Sequence, residues 1–220
     1  DSDNSWSIDI DKIDNKSILE HQLVKLNKIG VSCKDIFIVT GYKSEQIEKV
    51  GGDQISYIYN DKYKSTNSLY SMWLARDYLL GNEMILLNAD VVFHEEILSK
   101  LSIEENAVAV DFNKNLESGE MNVIIDNDQN IIEISKTIDP KRGNGESVQI
   151  AKFNKEGTNI LFSKSDELIK QDINNTFFPA YLFKYVIDKI GLKAVDVKDL
   201  PWGEIDYFKD FERAEKQEWK

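Results

Sequence analysis

A single cysteine, Cys33, leaves this chain no partner for an internal disulfide and no cysteine-based zinc site. Such usage suits a reducing cytoplasm. The histidines are equally scarce: His21 and His94 stand apart with no ligand-type partner at metal spacing, so both read as structural or surface residues. Three prolines and eleven glycines in 220 residues are too few for a low-complexity linker, and a single domain over residues 1–220 is expected. Positive charge is in deficit. The 27 Lys and Arg against 39 Asp and Glu give a net charge of −12, spread along the chain, which repels phosphate backbones and argues against nucleic-acid binding. No apolar run approaches the roughly 20 residues of a bilayer crossing. The first residues, Asp1-Ser2-Asp3-Asn4, are unlike a signal peptide, and no membrane insertion is expected. No initiator methionine precedes Asp1, so the natural start is expected elsewhere.

What is present is a rhythm of helices and strands. Ile8, Ile10 and Ile13 suggest a short extended segment. Ser17 followed by Glu20 forms a capping-box pattern, and Ile18, Leu19, Leu23, Leu26 and Ile29 recur at helical spacing up to Gly30. Residues 35–40 form a β-branched strand, 44–50 a short helix and 55–59 another strand, the order expected of βαβ units. A polar loop from Tyr59 to Asn67 then leads into a helix with Leu69, Tyr70, Trp73, Leu74, Tyr78 and Leu79 on its apolar side. That aromatic side reads as core.

The apolar stretch Met84 to Asn88 is expected to be the buried central strand of a parallel sheet, ending at Ala89-Asp90. Residues 94–101 read as a helix and 107–111 as a strand. The period then changes to two: 121–125 and 131–134 flank a polar turn, an antiparallel hairpin continued by Val148 to Phe153. Helices are expected over 158–169, 177–190 and 206–220, with a short strand at 194–197.

Ligands of open α/β sheets bind at the carboxyl ends of strands, which makes Asp90 a candidate. An acidic protein can hold a nucleotide if Mg²⁺ bridges one or two carboxylates and the phosphates. Asp206 is a candidate partner for Asp90. Both have ordinary readings too, Asp206 as a helix N-cap and Asp90 as a turn carboxylate. Thr66-Asn67-Ser68, with Ser71 one turn on, could offer hydroxyl and amide donors to a phosphate or nucleoside, or could simply cap a helix. Lys136, near Gly145-Glu146 in the chain's hairpin region, is by itself only a solvated lysine.

Several of these stretches in this order resemble the sugar-phosphate and choline-phosphate nucleotidyltransferase family. They are residues 16–23 (Lys-Ser-Ile-Leu-Glu-His-Gln-Leu), 38–42, Thr66-Asn67-Ser68-Leu69-Tyr70-Ser71, Asn88-Ala89-Asp90-Val91-Val92-Phe93, Ile134-Ser135-Lys136, Gly145-Glu146 and Trp202-Gly203-Glu204-Ile205-Asp206. The resemblance runs from about Asn15 to Ala214. It implies a Rossmann-like (GT-A-like) α/β domain with a mostly parallel mixed sheet and a small antiparallel hairpin region. It also implies transfer of a nucleotidyl group to a phospho- or phosphono-monoester, with release of pyrophosphate.

By the same resemblance, Asp90 and Asp206 would hold Mg²⁺. Thr66, Asn67, Ser71 and Gly41 would contact the nucleotide, CTP or another nucleoside triphosphate. Lys136 would face the acceptor phosphate with Glu146 and Glu204 nearby, and a homo-oligomer is compatible with it. The short chain and the Thr-Asn-Ser-Leu-Tyr-Ser and Ile-Ser-Lys segments look most like the CTP-using branch, which makes CDP-choline or CMP-aminoethylphosphonate. The hairpin from Met121 to Ile134 lacks aromatic residues for a quaternary-ammonium cage, which favours a primary amine. The family's glycine-rich loop with an arginine, and its Pro-Lys pair, have no counterpart here: no Gly precedes Gly30, no Arg precedes Arg76 and no Pro precedes Pro140. Two other readings are a hexose-1-phosphate nucleotidyltransferase and a non-catalytic nucleotide-binding domain of the same fold.

Overall fold

A computed structural model describes residues 13–113, 115–171 and 177–219. The extended segment expected at Ile8 and Ile10, like Trp6, lies outside the described residues. Helix α1 (Ile18–Lys28) opens with the expected capping box, Ser17 accepting from the Glu20 backbone while the Glu20 carboxylate returns to Ser17. Strand β1 (Phe37–Thr40), helix α2 (Ser44–Gly51) and strand β2 (Ser56–Tyr59) follow, and β1 pairs in parallel with β2. The aromatic helix is broken at Ala75 into α3 (Ser68–Leu74) and α4 (Arg76–Leu79). Strands β3 (Met84–Leu87) and β4 (Val91–Phe93) come next, then α5 (Glu96–Ser102) and β5 (Ala107–Asp111).

The hairpin is β6 (Asn122–Ile125) and β7 (Ile131–Ser135), as its alternation predicts. After it come β8 (Gly145–Phe153), α6 (Lys155–Lys170), α7 (Phe183–Ile190), β9 (Lys193–Asp196), β10 (Trp202–Glu204) and α8 (Phe208–Ala214). The region 177–190 is therefore not one helix: a 3₁₀ turn at Pro179–Leu182 precedes α7. The last helix begins at Phe208, two residues beyond Asp206.

The sheet departs from expectation in one respect. Its organiser is β8, which bonds β5 along one edge and both β6 and β3 along the other, all antiparallel. Strand β3 was expected at the centre; among the described residues it pairs with β8 alone, and Ile85, Leu86 and Leu87 are only half-buried. The parallel character survives in direction: β3, β5, β6 and β9 point one way and β7 and β8 the other.

Alternation along β5 sends Val108 and Val110 to one face, with Ile160, Leu161, Phe162, Phe183 and Val186 of α6 and α7. Ala107 and Ala109 go to the other, with Leu26 of α1 and Ile97, Leu98 and Leu101 of α5. The result is a sheet sandwiched between two helical layers. A third cluster, in which Ile13, Ile18, Val92, Ile205, Ala214 and Trp219 pack together, ties the C-terminal segment to β4. Among the described residues no helix is long and apolar enough to cross a membrane.

One core position works against stability. Lys25 is 4% exposed, its Nζ has no hydrogen-bond partner, and the ammonium lies 5.2 Å from the centre of the Phe93 ring. Burial, opposed by Glu95 and aided by Lys16 and Lys28, lowers its pKa from 10.5 to about 8. A base whose folded pKa lies below its unfolded value costs stability below the folded pKa, and the cost disappears as pH rises from about 8 past 10.5. Lys25→Met, which keeps the stem and removes the charge, is expected to stabilise the protein by about 1–3 kcal/mol at pH 7. That advantage should shrink steadily toward pH 10 in urea denaturation; an advantage independent of pH would contradict this account.

Candidate functional site

The two short strands β4 and β10 build the site. Each has only three residues, and they pair antiparallel, Val91 opposite Glu204 and Phe93 opposite Trp202. The pairing continues one step further, where the Ile205 amide donates to the Asp90 carbonyl at 3.0 Å. Asp90 and Asp206 are thereby brought alongside each other from distant parts of the chain. Helix α1 fixes the same turn: the Gln22 amide nitrogen donates to the carbonyls of Asn88 and Val91, both at 2.9 Å, on either side of Asp90.

Asp90 does sit in the turn after β3, but Asp206 is not the cap of the helix that follows it. The cap of α8 is Tyr207, whose amide is held by Asp210, so Asp206 does not cap the helix and its side chain is exposed. Asp90 is half-buried, and its Oδ1 is buried with no hydrogen-bond partner. Burial raises the Asp90 pKa and the charge of Asp206 raises it further, while Lys136 pulls it down. Glu204 is also pushed up, by burial first and then by Asp90, Asp206 and Glu120, against a hydrogen bond from Gln149. Crowded carboxylates with one oxygen unsatisfied suit a hard cation. Among the described residues no group of three or more Asp, Glu, His or Cys side chains is arranged to hold a metal. A two-carboxylate Mg²⁺ site completed by substrate phosphates and water matches this donor set.

Lys136 is half-buried at the end of β7, with Nζ 4.9 Å from the centre of the Phe178 ring. Phe178 also lines a small cavity of about 30 Å³ together with Ser68, Asn88, Ser147 and Gln149, room for about one water molecule. This cavity joins the first turn of α3 to the turn carrying Asp90. A separate cleft of about 480 Å³ is lined by Glu117, Glu120, Glu146, Glu204, Asp206 and Asp210, outnumbering Lys209 and Arg213 there, with Trp202, Tyr207 and Trp219 beside them. Aromatic residues, absent from the hairpin, do occur along this cleft, although Trp219 is only 4% exposed and belongs to the core. The Trp202 indole donates to Asp111 at 2.9 Å, and that of Trp219 to the Ala214 carbonyl at 2.9 Å.

The expected nucleotide residues form a neighbouring group around one that sequence reasoning missed. Asn60, 2% exposed, donates through its side-chain nitrogen to Thr66 Oγ1 at 3.1 Å and to Ser71 Oγ at 3.2 Å. Its side-chain oxygen accepts from the Lys62 amide at 2.9 Å. Asn67 caps α3, its side chain accepting from the Ser68 amide. At Gly41 a Cβ would fall 2.6 Å from the Tyr63 Cβ, so close packing of Tyr63 accounts for the glycine. Polar side chains just beyond parallel strands, at the start of a helix, are a usual place for a nucleotide.

The described residues form a layered α/β fold in which the carboxylate pair lies at the β4 and β10 strand ends, with Lys136 after β7 and the start of α3 nearby. The comparisons are more particular. No family model matches the chain. It is 33% identical over 100 residues to a CMP-5'-(3-aminopropyl)phosphonate synthase of Streptomyces rubellomurinus, covering 43% of this chain and 15% of that protein. To a choline-phosphate cytidylyltransferase of Haemophilus influenzae it is 39% identical over 80 residues, 36% of this chain and 33% of the other. The chain thus matches only a minor part of the length of these two relatives. With a CTP:phosphoglutamine cytidylyltransferase of Campylobacter jejuni the match is 25% identical over 225 residues, covering 90% and 87%.

Among solved structures, the inositol-1-phosphate CTP transferase of T. maritima superposes with a TM-score of 0.74 at 17% identity, over 97% of this chain and 88% of that one. The CTP:phosphocholine cytidylyltransferase of Streptococcus pneumoniae gives 0.71 at 18%, over 93% and 86%. The chain resembles the CTP-using nucleotidyltransferases in sequence and has the fold of nucleotidyltransferases.

Replacing Asp90 or Asp206 by Asn should leave the thermal midpoint, measured by calorimetry without divalent ions, within a few degrees of the parent or above it. Neither carboxylate caps a helix, and the Asp90 charge is desolvated beside another. A fall of ten degrees or more would mark the pair as a structural element.

Proposed function

We propose that this chain transfers a cytidylyl group from CTP to a small phospho- or phosphono-monoester carrying a cationic amine, releasing pyrophosphate in a Mg²⁺-dependent reaction. The observation that carries the proposal is the β4 and β10 pairing, which sets Asp90 beside Asp206 with one Asp90 oxygen buried and unpaired. An acceptor oxygen attacks the α-phosphorus, the new phosphorus–oxygen bond forms, and the bond to the β-phosphate breaks with its electron pair leaving on pyrophosphate. No protein nucleophile is required. The work is positioning and charge neutralisation.

In this reading Asp90 and Asp206 hold the cation. Bound there, Mg²⁺ would neutralise the α-phosphate and polarise it toward attack. Lys136, anchored over Phe178, would meet phosphoryl oxygens of the acceptor. Thr66 and Ser71, fixed by Asn60, would face the nucleoside, with Asn67 and Gly41 beside them at the loop ends. Glu204 and the buried Glu146 line the acidic cleft, whose charge favours a cationic group on the acceptor. Trp202 and Tyr207 at its wall would suit either a primary or a quaternary ammonium. The relatives' names point the same way, since aminopropylphosphonate and choline phosphate both carry a cationic nitrogen.

The proposal is tested by pyrophosphate release with CTP, UTP and dTTP plus Mg²⁺, each offered choline phosphate, aminoethylphosphonate and glucose 1-phosphate. Turnover is expected with CTP and an amine-bearing acceptor, and loss of at least a hundredfold in Asp90→Asn, Asp206→Asn or on chelation. Turnover with glucose 1-phosphate instead would favour the hexose-1-phosphate reading. Binding of CTP without turnover for any acceptor would leave a nucleotide-binding domain of the same fold and contradict the proposal.

A further inference from the structure

We infer that Gln149 is a positioning residue for the Asp90 and Asp206 site, an inference that rests on the cation-site reading above. Strand β8 does not run evenly past β5: Ala151 lies opposite Val108 and Ser147 opposite Val110, so the path from Ser147 to Ala151 bulges. At the middle of that bulge Gln149 has φ 60°, a left-handed conformation without glycine. Such a backbone costs about 1–2 kcal/mol per residue. Strain of this kind persists where the side chain or its surroundings require it.

Both ends of the side-chain amide are engaged. Its amide oxygen accepts from the Asn88 side chain, and its amide nitrogen donates to the Glu204 carboxylate. Its backbone is held too, the Gln149 carbonyl accepting from the Asn88 amide at 3.4 Å and the Gln149 amide donating to Ser147 Oγ at 3.1 Å.

Asn88 lies two residues before Asp90, and Glu204 two before Asp206. Gln149 therefore bridges the two segments that carry the pair, in addition to their direct strand pairing. Only an amide fits this place: a Glu would set a further carboxylate against Glu204, and a Leu would leave both Asn88 and Glu204 without a partner. The bridge fixes the spacing of the two aspartates before a cation arrives. Groups hydrogen-bonded to metal ligands typically govern metal affinity by about 10- to 100-fold, and Gln149 acts one step further back, through Asn88 and Glu204.

The test separates backbone from side chain. Glycine adopts φ 60° freely, so Gln149→Gly keeps the bulge and removes the bridge. Mn²⁺ binding followed by electron paramagnetic resonance, and the Mg²⁺ dependence of pyrophosphate release, are measured for the parent, Gln149→Gly, Asn88→Ala and the double variant. Gln149→Gly is expected to melt within a few degrees of the parent, bind Mn²⁺ at least tenfold more weakly, and need correspondingly more Mg²⁺ with little change in the rate at saturation. The Asn88→Ala and Gln149→Gly penalties should not add, because both break one bridge. If the parent binds Mn²⁺ and Gln149→Gly binds it within twofold, the side chain has no positioning role and the inference is wrong. A parent that binds no Mn²⁺ overturns the cation site and this inference together.

Discussion

The arrangement depends on a pairing of two three-residue strands, β4 and β10. Strands this short contribute little on their own. They are held by Val92 and Ile205 in one apolar cluster with Ile13, Ile18, Ala214 and Trp219, and by Gln22 reaching from α1 to both carbonyls flanking Asp90. Their consequence is electrostatic. Asp90, Glu204 and Asp206 are collected near Glu120, and Asp90 and Glu204 are pushed toward their protonated forms. Folding accepts that repulsion, and in the proposed reading a bound cation would offset it.

The central strand then takes a different meaning. The chain is organised around β8, which joins β3, β5 and β6, and β8 bulges at Gln149, whose side chain meets Asn88 and Glu204. A strand in the middle of a sheet normally gains from regular pairing, and an irregularity there re-aims a side chain. Gln149 is that side chain, placed between the turn after β3 and the end of β10. It lines the small cavity reaching Ser68 and Phe178, and its partner Glu204 lines the acidic cleft.

Much of this was legible in the sequence, for identifiable reasons. The Ser17 and Glu20 capping box, the alternation of the β6 and β7 hairpin and the apolar periodicity of α1 are local signals, and local signals survive folding. Asp90 stood out because an apolar run ends on a carboxylate. What could not be read depends on contacts between remote segments. Nothing local marks Trp202-Gly203-Glu204 as a strand, because its partner β4 lies far back in the chain. Gln149 and Asn60 are ordinary residue types whose roles come from the several segments they join. Met84 to Leu87 looked central because it is apolar, although among the described residues it carries a single partner strand.

If strand pairing makes Asp90 and Asp206 one cation site, both carboxylates share a single metal ion. The most direct measurement is anomalous diffraction at the manganese edge from crystals grown with Mn²⁺ and a non-hydrolysable CTP analogue. A peak is expected within coordination distance of both carboxylates, about 2.0–2.4 Å from an oxygen of each, beside the analogue's α-phosphate. A peak held by Glu117, Glu120 or Asp210 in the acidic cleft, or none near Asp90 with the analogue bound, would contradict it.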